Sequence, residues 1–258
     1  MFITTGPVYS GRMTGAEWRD PAHRPVVLAL PFAGRWLARN SPARRIPSHG
    51  TDLLGERYAI DFIGVDERGR SAAVRDWGTL FGTEPAERFV GFGRPILAPA
   101  DGIVVAAHDG EPDHEARRSQ LSLVPYALGQ ASRLRAGVPA IAGNHVVIAL
   151  ADGAGFVALV HLRSGSVRVV AGDGVRVGQP LAQCGNSGNS TQPHVHLQVM
   201  DSADLTVARG VPVAFRGYRE WRRGSAQPRS YDVGIPGEGA LVEARPVDPP
   251  PDSTARER

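Results

Sequence analysis

Short runs of apolar or alternating apolar and polar residues, separated by turn residues, dominate the chain. Such runs predict β-strands, because successive side chains of a strand face opposite sides of a sheet. Thirty-one glycines and twenty-one prolines supply the turns between them. The runs are RPVVLALPF, RYAIDFIGV, PILAPADGIVVAAH, NHVVIAL, GFVALVHL, SVRVVAGDGV and HVHLQVM. The pattern therefore predicts a mainly β protein.

One long segment and the two ends of the chain break this pattern. Residues 114–136, HEARRSQLSLVPYALGQASRLRA, look partly helical or loop-like between two predicted strands, so we predict an insertion at about 110–140. Residues 1–44 are predicted to be an N-terminal extension packed on a core domain, 45–222. A C-terminal extension, 223–258, ends in ARPVDPPPDSTARER, whose proline and charge content is typical of disorder.

Composition narrows the classes of protein that need to be considered. The 258 residues are 42% hydrophobic, which is enough to fill a core, and the single cysteine excludes an internal disulfide. All 29 basic residues are arginines, scattered along a chain of net charge +3, so we predict no nucleic-acid partner. The start, MFITTGPVYSGRMTGAEW, shows no signal peptide, and no run predicts a transmembrane segment. The protein as encoded is therefore expected in the cytoplasm, and its oligomeric state is not predicted.

Two histidines one residue apart lie in the stretch GNSGNSTQPHVHLQV, residues 185–199. On a strand, His194 and His196 face the same side with Cα atoms about 7 Å apart, while Val195 and Leu197 point into the core. The turn residues before them let backbone approach a ligand closely. The pair is open to two interpretations, a metal ligand with a catalytic neighbour or two imidazoles on an ordinary strand.

Two further polar residues interrupt apolar strands. Asp61, in ERYAIDFIGV, should be paired, hydrogen-bonded or bound to a cation, because an uncompensated buried carboxylate costs several kcal/mol; a salt bridge to an arginine is the alternative to a functional role. His161, in GFVALVHLRSGS, is predicted to share a face with Val157 and Leu159; a core histidine with a satisfied hydrogen bond is the alternative. Together with the histidine pair they offer imidazole and carboxylate ligands and further imidazoles to move protons, as a hydrolytic zinc site requires.

From about residue 57 to 200 the sequence resembles the zinc metallopeptidases of family M23, the lysostaphin-like and LytM-like endopeptidases that cut peptide cross-links in bacterial peptidoglycan. The resemblance is carried, in chain order, by YAIDF, GRPILAPADGIVVAA, GNHVVIAL, FVALVHL and GSVRVVAGDGVRVGQPLAQCGNSGNSTQPHVHLQV. It implies an antiparallel β core of the lysostaphin-like, barrel-sandwich-hybrid type with a groove across one sheet. It also implies a Zn²⁺ cofactor, a peptide or peptidoglycan substrate, and, for that substrate, a secreted or cell-wall location.

Carried over residue by residue, the resemblance implies that Asp61 and His196 are zinc ligands and that His161 and His194 are catalytic. The sequence departs from the family four residues before the aspartate, where Arg57 replaces the first histidine ligand. Arginine cannot bind zinc, because it stays protonated.

His49 is the candidate that we predict to fill this vacancy. Glycines at 50 and 55 allow the chain between His49 and Asp61 to loop back, whereas the alternative is a histidine on a surface loop. Asp52 and Glu56 are weaker candidates. We also predict His145 and Asn186 as substrate-binding residues, with a surface strand position as the alternative for His145.

The sequence suggests three functions. The first is a zinc endopeptidase that hydrolyses peptidoglycan stem or cross-bridge peptides. The second is a catalytically degenerate binding or regulatory module, which Arg57 favours. The third is a biotinyl or lipoyl carrier, suggested by APADGIVVAA and GDGVRVGQPLA; it is excluded because such carriers attach their cofactor to lysine and the chain has none.

Overall fold

A computed structural model describes residues 24–72, 82–117 and 137–245, and a single large sheet organises them. In this part of the chain the strands are β1 (Val26–Leu28), β2 (Trp36–Arg39), β3 (Ile60–Gly64), β4 (Pro95–Leu97), β5 (Gly102–His108), β6 (Asn144–Leu150), β7 (Phe156–Leu162), β8 (Gly174–Val175), β9 (Pro180–Gln183), β10 (Val195–Met200), β11 (Gly210–Val211), β12 (Val213–Trp221), β13 (Arg229–Gly234) and β14 (Leu241–Ala244). The one described α-helix, α1, is Val138–Ala142, and 3₁₀ turns lie at Leu53–Tyr58 and Ala86–Arg88.

The sheet runs in the order β1-β12-β14-β2-β3-β10-β7-β6-β5-β8, with β11 beside β10 and β13 beside β12. Strands β4 and β9 form a separate two-stranded ribbon. In the described ranges β1 pairs with β12 in parallel and the other pairings are antiparallel. The prediction of a mainly β protein is confirmed, and the sheet is mixed through one pairing at its edge.

The centre of the sheet is covered by apolar side chains on both faces. Val195 and Leu197 of β10 point into the main core, as the alternation of the strand predicts. The same core holds packed aromatic rings: the ring centroid of Phe32 lies 4.5 Å from that of Trp36 in a stacked pair and 4.9 Å from that of Phe62 in an edge-to-face pair. The opposite face carries a smaller apolar cluster of Ala142, Val147, Ala158, Val160, Met200, Leu205 and Ala208.

Both segments predicted as extensions contribute strands to this sheet. Strand β2, from the first 44 residues, lies between β14 and β3, with Arg39 opposite Asp61. Strands β13 and β14 continue the sheet through β12. Of the predicted insertion, 118–136 lies outside the described residues, as do the ends 1–23 and 246–258.

Candidate metal centre and active site

Three side chains from distant parts of the chain meet at one end of the central strands. His49, Asp61 and His196 each offer a ligand atom, and these atoms all lie within 4.8 Å of one another. The Nδ1 atom of His196 is 2.9 Å from Asp61 Oδ1, and the Nε2 atom of His49 is 3.2 Å from both carboxylate oxygens. The antiparallel register explains part of this, since His196 stands directly opposite Asp61 on neighbouring strands.

His49 reaches the site because the chain from 48 to 58 folds back against β10. The backbone N–H of Ser48 donates to the carbonyl of Arg57 at 3.0 Å, which closes the loop at its base. Gly55 has φ +81°, and a Cβ there would lie 2.8 Å from Met200 Cγ on β10. Only glycine combines this backbone conformation with so close an approach.

Arg57, in the position where family M23 has its first histidine, points away from the site. Its guanidinium donates to Asp52 Oδ1 at 2.6 Å and lies over the ring of Tyr58. The structure therefore places the imidazole of His49, and not the side chain of Arg57, beside Asp61 and His196.

The carboxylate of Asp61 is held ionised although it is buried. Burial by itself raises its pKa, but the positive charge that His194 carries at acidic pH and hydrogen bonds from His196 and His49 outweigh that effect, and the pKa lies well below its usual value. For His196, burial lowers the pKa, while the hydrogen bond to Asp61 and its charge raise it to about 9. Asp61 and protonated His196 thus form a buried ion pair.

His161 and His194 lie side by side next to this cluster, with ring centroids 4.7 Å apart. The Nδ1–H of His161 donates to the carbonyl of Ser187 at 2.9 Å, and that of His194 to the carbonyl of Gln192 at 2.8 Å. Burial is the largest influence on both rings and lowers the pKa of each, well below the usual value for His161. Both rings are therefore neutral near pH 7, with Nε2 as an unprotonated acceptor.

His161 reaches this position through a break in the strand alternation. The sequence pattern predicts a face shared with Val157 and Leu159, but those residues belong to the main core, and the prediction is wrong. His161 has φ +63°, and the register of β6 and β7 shifts here, so Val160 and His161 both line the same pocket. A positive φ is uncommon outside glycine and often marks a functional position.

A pocket of about 420 Å³ opens over the five clustered residues. Its lining combines them with polar residues on one side and apolar residues on the other. Those lining residues are Asn40, His49, Thr51, Leu54, Glu56, Asp61, Val138, Ile141, Ala142, Val160, His161, Asn189, Thr191, His194, His196, Gln198 and Leu205.

The two predicted substrate-binding residues lie outside this lining. Asn186 is fully buried and accepts a hydrogen bond from Ser190 Oγ at 2.7 Å, and that hydroxyl lies 3.1 Å from His194 Nδ1. His145 is buried, donates from Nδ1 to the carbonyl of Gly143 and stacks on His108. Asn186 thus contacts the catalytic candidate His194 only through Ser190, and His145 lies on β6, outside the pocket.

Two residues of the site have no counterpart among the sequence predictions. Asn40 donates from Nδ2 to Asp61 Oδ2 at 2.7 Å, and Gln198 accepts from Nε2–H of His196 at 2.9 Å. Gln198 also donates to the carbonyl of Leu54 in the loop that carries His49. The alternation of β10 could have indicated Gln198, which shares a face with His196, whereas nothing local indicates Asn40.

Two imidazoles and a carboxylate, beside two neutral imidazoles in an open pocket, are the side-chain set of a metal-dependent hydrolase. A sequence model of peptidase family M23 matches residues 126–212. The matched range includes His161, His194 and His196 of the site just described, and together the match and the site support a peptidase. A comparison with curated proteins gives no match.

Comparison with solved structures gives distant similarities. The catalytic domain of the antimicrobial peptidase lysostaphin from Staphylococcus simulans is 18% identical, with 69% of this chain and 88% of that chain covered and a TM-score of 0.35. A variant catalytic domain of the prophage-encoded M23 protein EnpA from Enterococcus faecalis is 19% identical, covering 73% and 89%, with a TM-score of 0.34. The M23 metalloprotease pseudoalterin, described as from the deep sea, is 15% identical, covering 80% and 99%, with a TM-score of 0.40.

Proposed function

We propose that the protein is a zinc-dependent endopeptidase that hydrolyses peptide bonds in peptidoglycan stem or cross-bridge peptides. The observation that carries the proposal is the convergence of His49, Asp61 and His196 beside His161 and His194 on the wall of one open pocket. The substrate class follows from the match to peptidase family M23, and it would place the working protein outside the cytoplasmic membrane, secreted or at the cell wall. No helix in the described part of the chain is long and apolar enough to span a membrane.

The residues present fit a zinc ion. Two imidazoles and one carboxylate are a donor set that catalytic zinc sites use. A hydrogen bond on the far side of the ring orients His196 for the metal. Its Nε2–H donates to Gln198, which leaves Nδ1 as the ligand atom. Ser48 Oγ donates to the carbonyl of Glu56 and lies 3.0 Å from His49 Nδ1, so it can accept that N–H and leave Nε2 for the metal. Bound zinc supplies Lewis-acid polarisation of the scissile carbonyl.

His161 and His194 have the protonation state that the peptide hydrolysis needs. Each ring gives its Nδ1–H to a backbone carbonyl, so the neutral Nε2 can accept a proton from the attacking water. Once protonated, the same nitrogen becomes a donor to the oxyanion or to the leaving amine. The two fixed carbonyls hold the rings in this tautomer throughout.

The degenerate binding module is not favoured by the structure. Its support from the sequence is Arg57, which removes the first ligand of the family pattern. His49 brings a third donor to Asp61 and His196, and a buried cluster of ionisable groups is costly to keep without a role.

The proposal is tested on protein purified without added metal, by zinc analysis and by hydrolysis of peptidoglycan and of its cross-bridge peptides. We expect about one zinc per chain and hydrolysis that a chelator abolishes. His49→Ala should lower metal affinity by two orders of magnitude or more and abolish turnover. A parent protein that binds no zinc when the metal is supplied would overturn the proposal.

Two control variants separate the ligand role from general damage. Arg57→Ala removes the residue in the family's ligand position, and it should keep full zinc occupancy because its side chain points to Asp52. His108→Ala removes a histidine outside the pocket lining and should leave zinc content unchanged. Loss of zinc in Arg57→Ala comparable with His49→Ala would contradict the assignment of His49.

A further inference from the structure

The pocket is chemically asymmetric about the proposed metal position. On the β3 side its walls are mostly polar and carry the two carboxylates of Glu56 and Asp61. On the other side, Val160 stands directly opposite His196 on β7, so the apolar wall begins beside a proposed ligand. That wall, which we call the aliphatic wall, consists of Val138, Ile141, Ala142, Val160 and Leu205.

The aliphatic wall is the open edge of the smaller apolar cluster on this face of the sheet. Ala142, Val160 and Leu205 are at most 7% exposed and pack within that cluster. Val138 and Ile141 are only partly buried, and they lie three residues apart, which places them on the same side of α1. They therefore offer apolar surface to whatever occupies the pocket.

The wall is held in a fixed position. The backbone N–H of Asn189 donates to the carbonyl of Ile141 at 2.8 Å, and that of Asn144 donates to Ser187 Oγ at 3.0 Å. A Cβ on Gly143 would lie 2.4 Å from Ser187 Oγ, so α1 sits directly on the turn that leads to His194. Because such a wall cannot move to close over a small side chain, it favours side chains large enough to reach it.

We infer that the aliphatic wall is a specificity subsite that binds an uncharged aliphatic side chain next to the scissile bond, a deepening that rests on the proposed peptidase function. A peptide of glycine alone would leave Val138 and Ile141 in water, whereas an aliphatic side chain removes both surfaces from water. Acidic side chains are disfavoured, since the described lining holds Glu56 and Asp61 and no lysine or arginine.

The test uses blocked pentapeptides of glycine with one variable residue, either glycine, alanine, leucine or aspartate. Ligand-observed NMR titration of the metal-free protein measures binding, and kcat/KM of the zinc-loaded protein measures cleavage. Leucine should exceed glycine roughly tenfold in both readouts, alanine should fall between them, and aspartate should be no better than glycine.

Substitutions in the wall assign the preference to these residues. Ile141→Asn should reduce the preference for leucine over glycine to less than about threefold. Val138→Asn is a second variant of the same wall, in case the first fails to fold by circular dichroism. Val170→Asn, at a residue that is 66% exposed and outside the pocket, should keep the full preference.

The outcomes separate this inference from the proposed function. Equal binding of leucine and glycine peptides, preferred binding of aspartate, or no binding of any peptide overturns the subsite. Zinc-loaded protein that cleaves none of the peptides or peptidoglycan overturns the peptidase proposal, while the binding series still tests the wall.

Discussion

Asp61, on β3, contacts side chains from the loop that carries His49, from β10 and from the residue that follows β2. Its carboxylate contacts His49 and His196 and accepts a hydrogen bond from Asn40, and it lies 3.7 Å from His194 Nε2. The sequence leaves open whether an arginine or a cation compensates this buried charge. In the described part of the chain its partners are imidazoles and an amide, and a divalent cation bound by the same imidazoles would take over the compensation.

The raised pKa of His196 predicts that metal binding releases a proton. In the metal-free protein the pKa is about 9, so the ring is protonated at pH 7, and a metal must displace that proton to reach Nδ1. Apparent zinc affinity should therefore rise about tenfold per pH unit between pH 6 and 8 from this ring alone, and level off above pH 9. Calorimetry at pH 7 in buffers of different ionisation enthalpy should count about one proton per metal.

The same pKa gives the opposite pH dependence for stability without metal. Because the folded pKa lies above the ordinary value of 6.5, the ion pair with Asp61 stabilises the metal-free protein fully below about pH 6.5. This contribution is lost as the pH rises through about 9.

For metal binding, a zinc affinity that does not change between pH 6 and 8, with no proton released, would contradict the raised pKa of His196.

At the scale of elements, the loop from residue 48 to 58 determines whether the imidazole of His49 reaches Asp61 and His196. Gly55 lets its backbone touch Met200, and Gln198 binds the carbonyl of Leu54 while its other end binds His196. The loop is thus held against strand β10 by the close approach of Gly55 to Met200 and by the side-chain amide of Gln198.

Gly55→Ala should loosen this loop and weaken metal binding. The new Cβ would meet Met200 Cγ at 2.8 Å, so we expect a loss of stability about 1–3 kcal/mol greater than that of a strained glycine without a contact. Zinc affinity should fall as His49 is displaced. Urea unfolding and zinc titration measure the two effects.

Gly34→Ala is the matched control for that substitution. Gly34 has φ +72°, similar to that of Gly55, but a Cβ there meets nothing within 4 Å. It should lose only the conformational strain, about 1 kcal/mol, and keep its zinc affinity. Equal losses in both variants would show that the contact with β10 has no part in holding the loop.

At the scale of the whole molecule, the strands from both ends belong to the sheet that carries the site. Strand β2 pairs with β3, which bears Asp61, and β14 joins β2 to β12. Phe215 of β12 is fully buried in the main core, where its ring lies 5.4 Å from that of Phe62 on β3. The terminal strands therefore share a core with the site strands.

Phe215→Ala should destabilise the described sheet as one unit. Removing a fully buried phenylalanine costs about 3–5 kcal/mol. Calorimetry should show a single unfolding transition at lower temperature, because β12 and β3 unfold together. Val233→Ala, at a residue that is 54% exposed on β13, should leave that transition almost unchanged. Two separate transitions in Phe215→Ala would contradict a shared core.

Local pattern was sufficient for several features of the site. Period-two alternation placed His194 and His196 on one face and Val195 and Leu197 in the core, because a strand has that geometry wherever it lies. The same rule misplaced His161, because a positive φ inside β7 breaks the period. Periodicity cannot detect such a break, since histidine carries no local signal for it.

The sequence by itself determined that the protein is mainly β and which polar residues stand on apolar strands, because alternation and turn residues act between near neighbours. Only the tertiary structure decided that His49 meets Asp61 and His196, that Asn40 contacts the same carboxylate, and that the terminal strands complete the sheet. These contacts join residues far apart in the chain. Their geometry follows from strand order and loop closure, which no local pattern encodes.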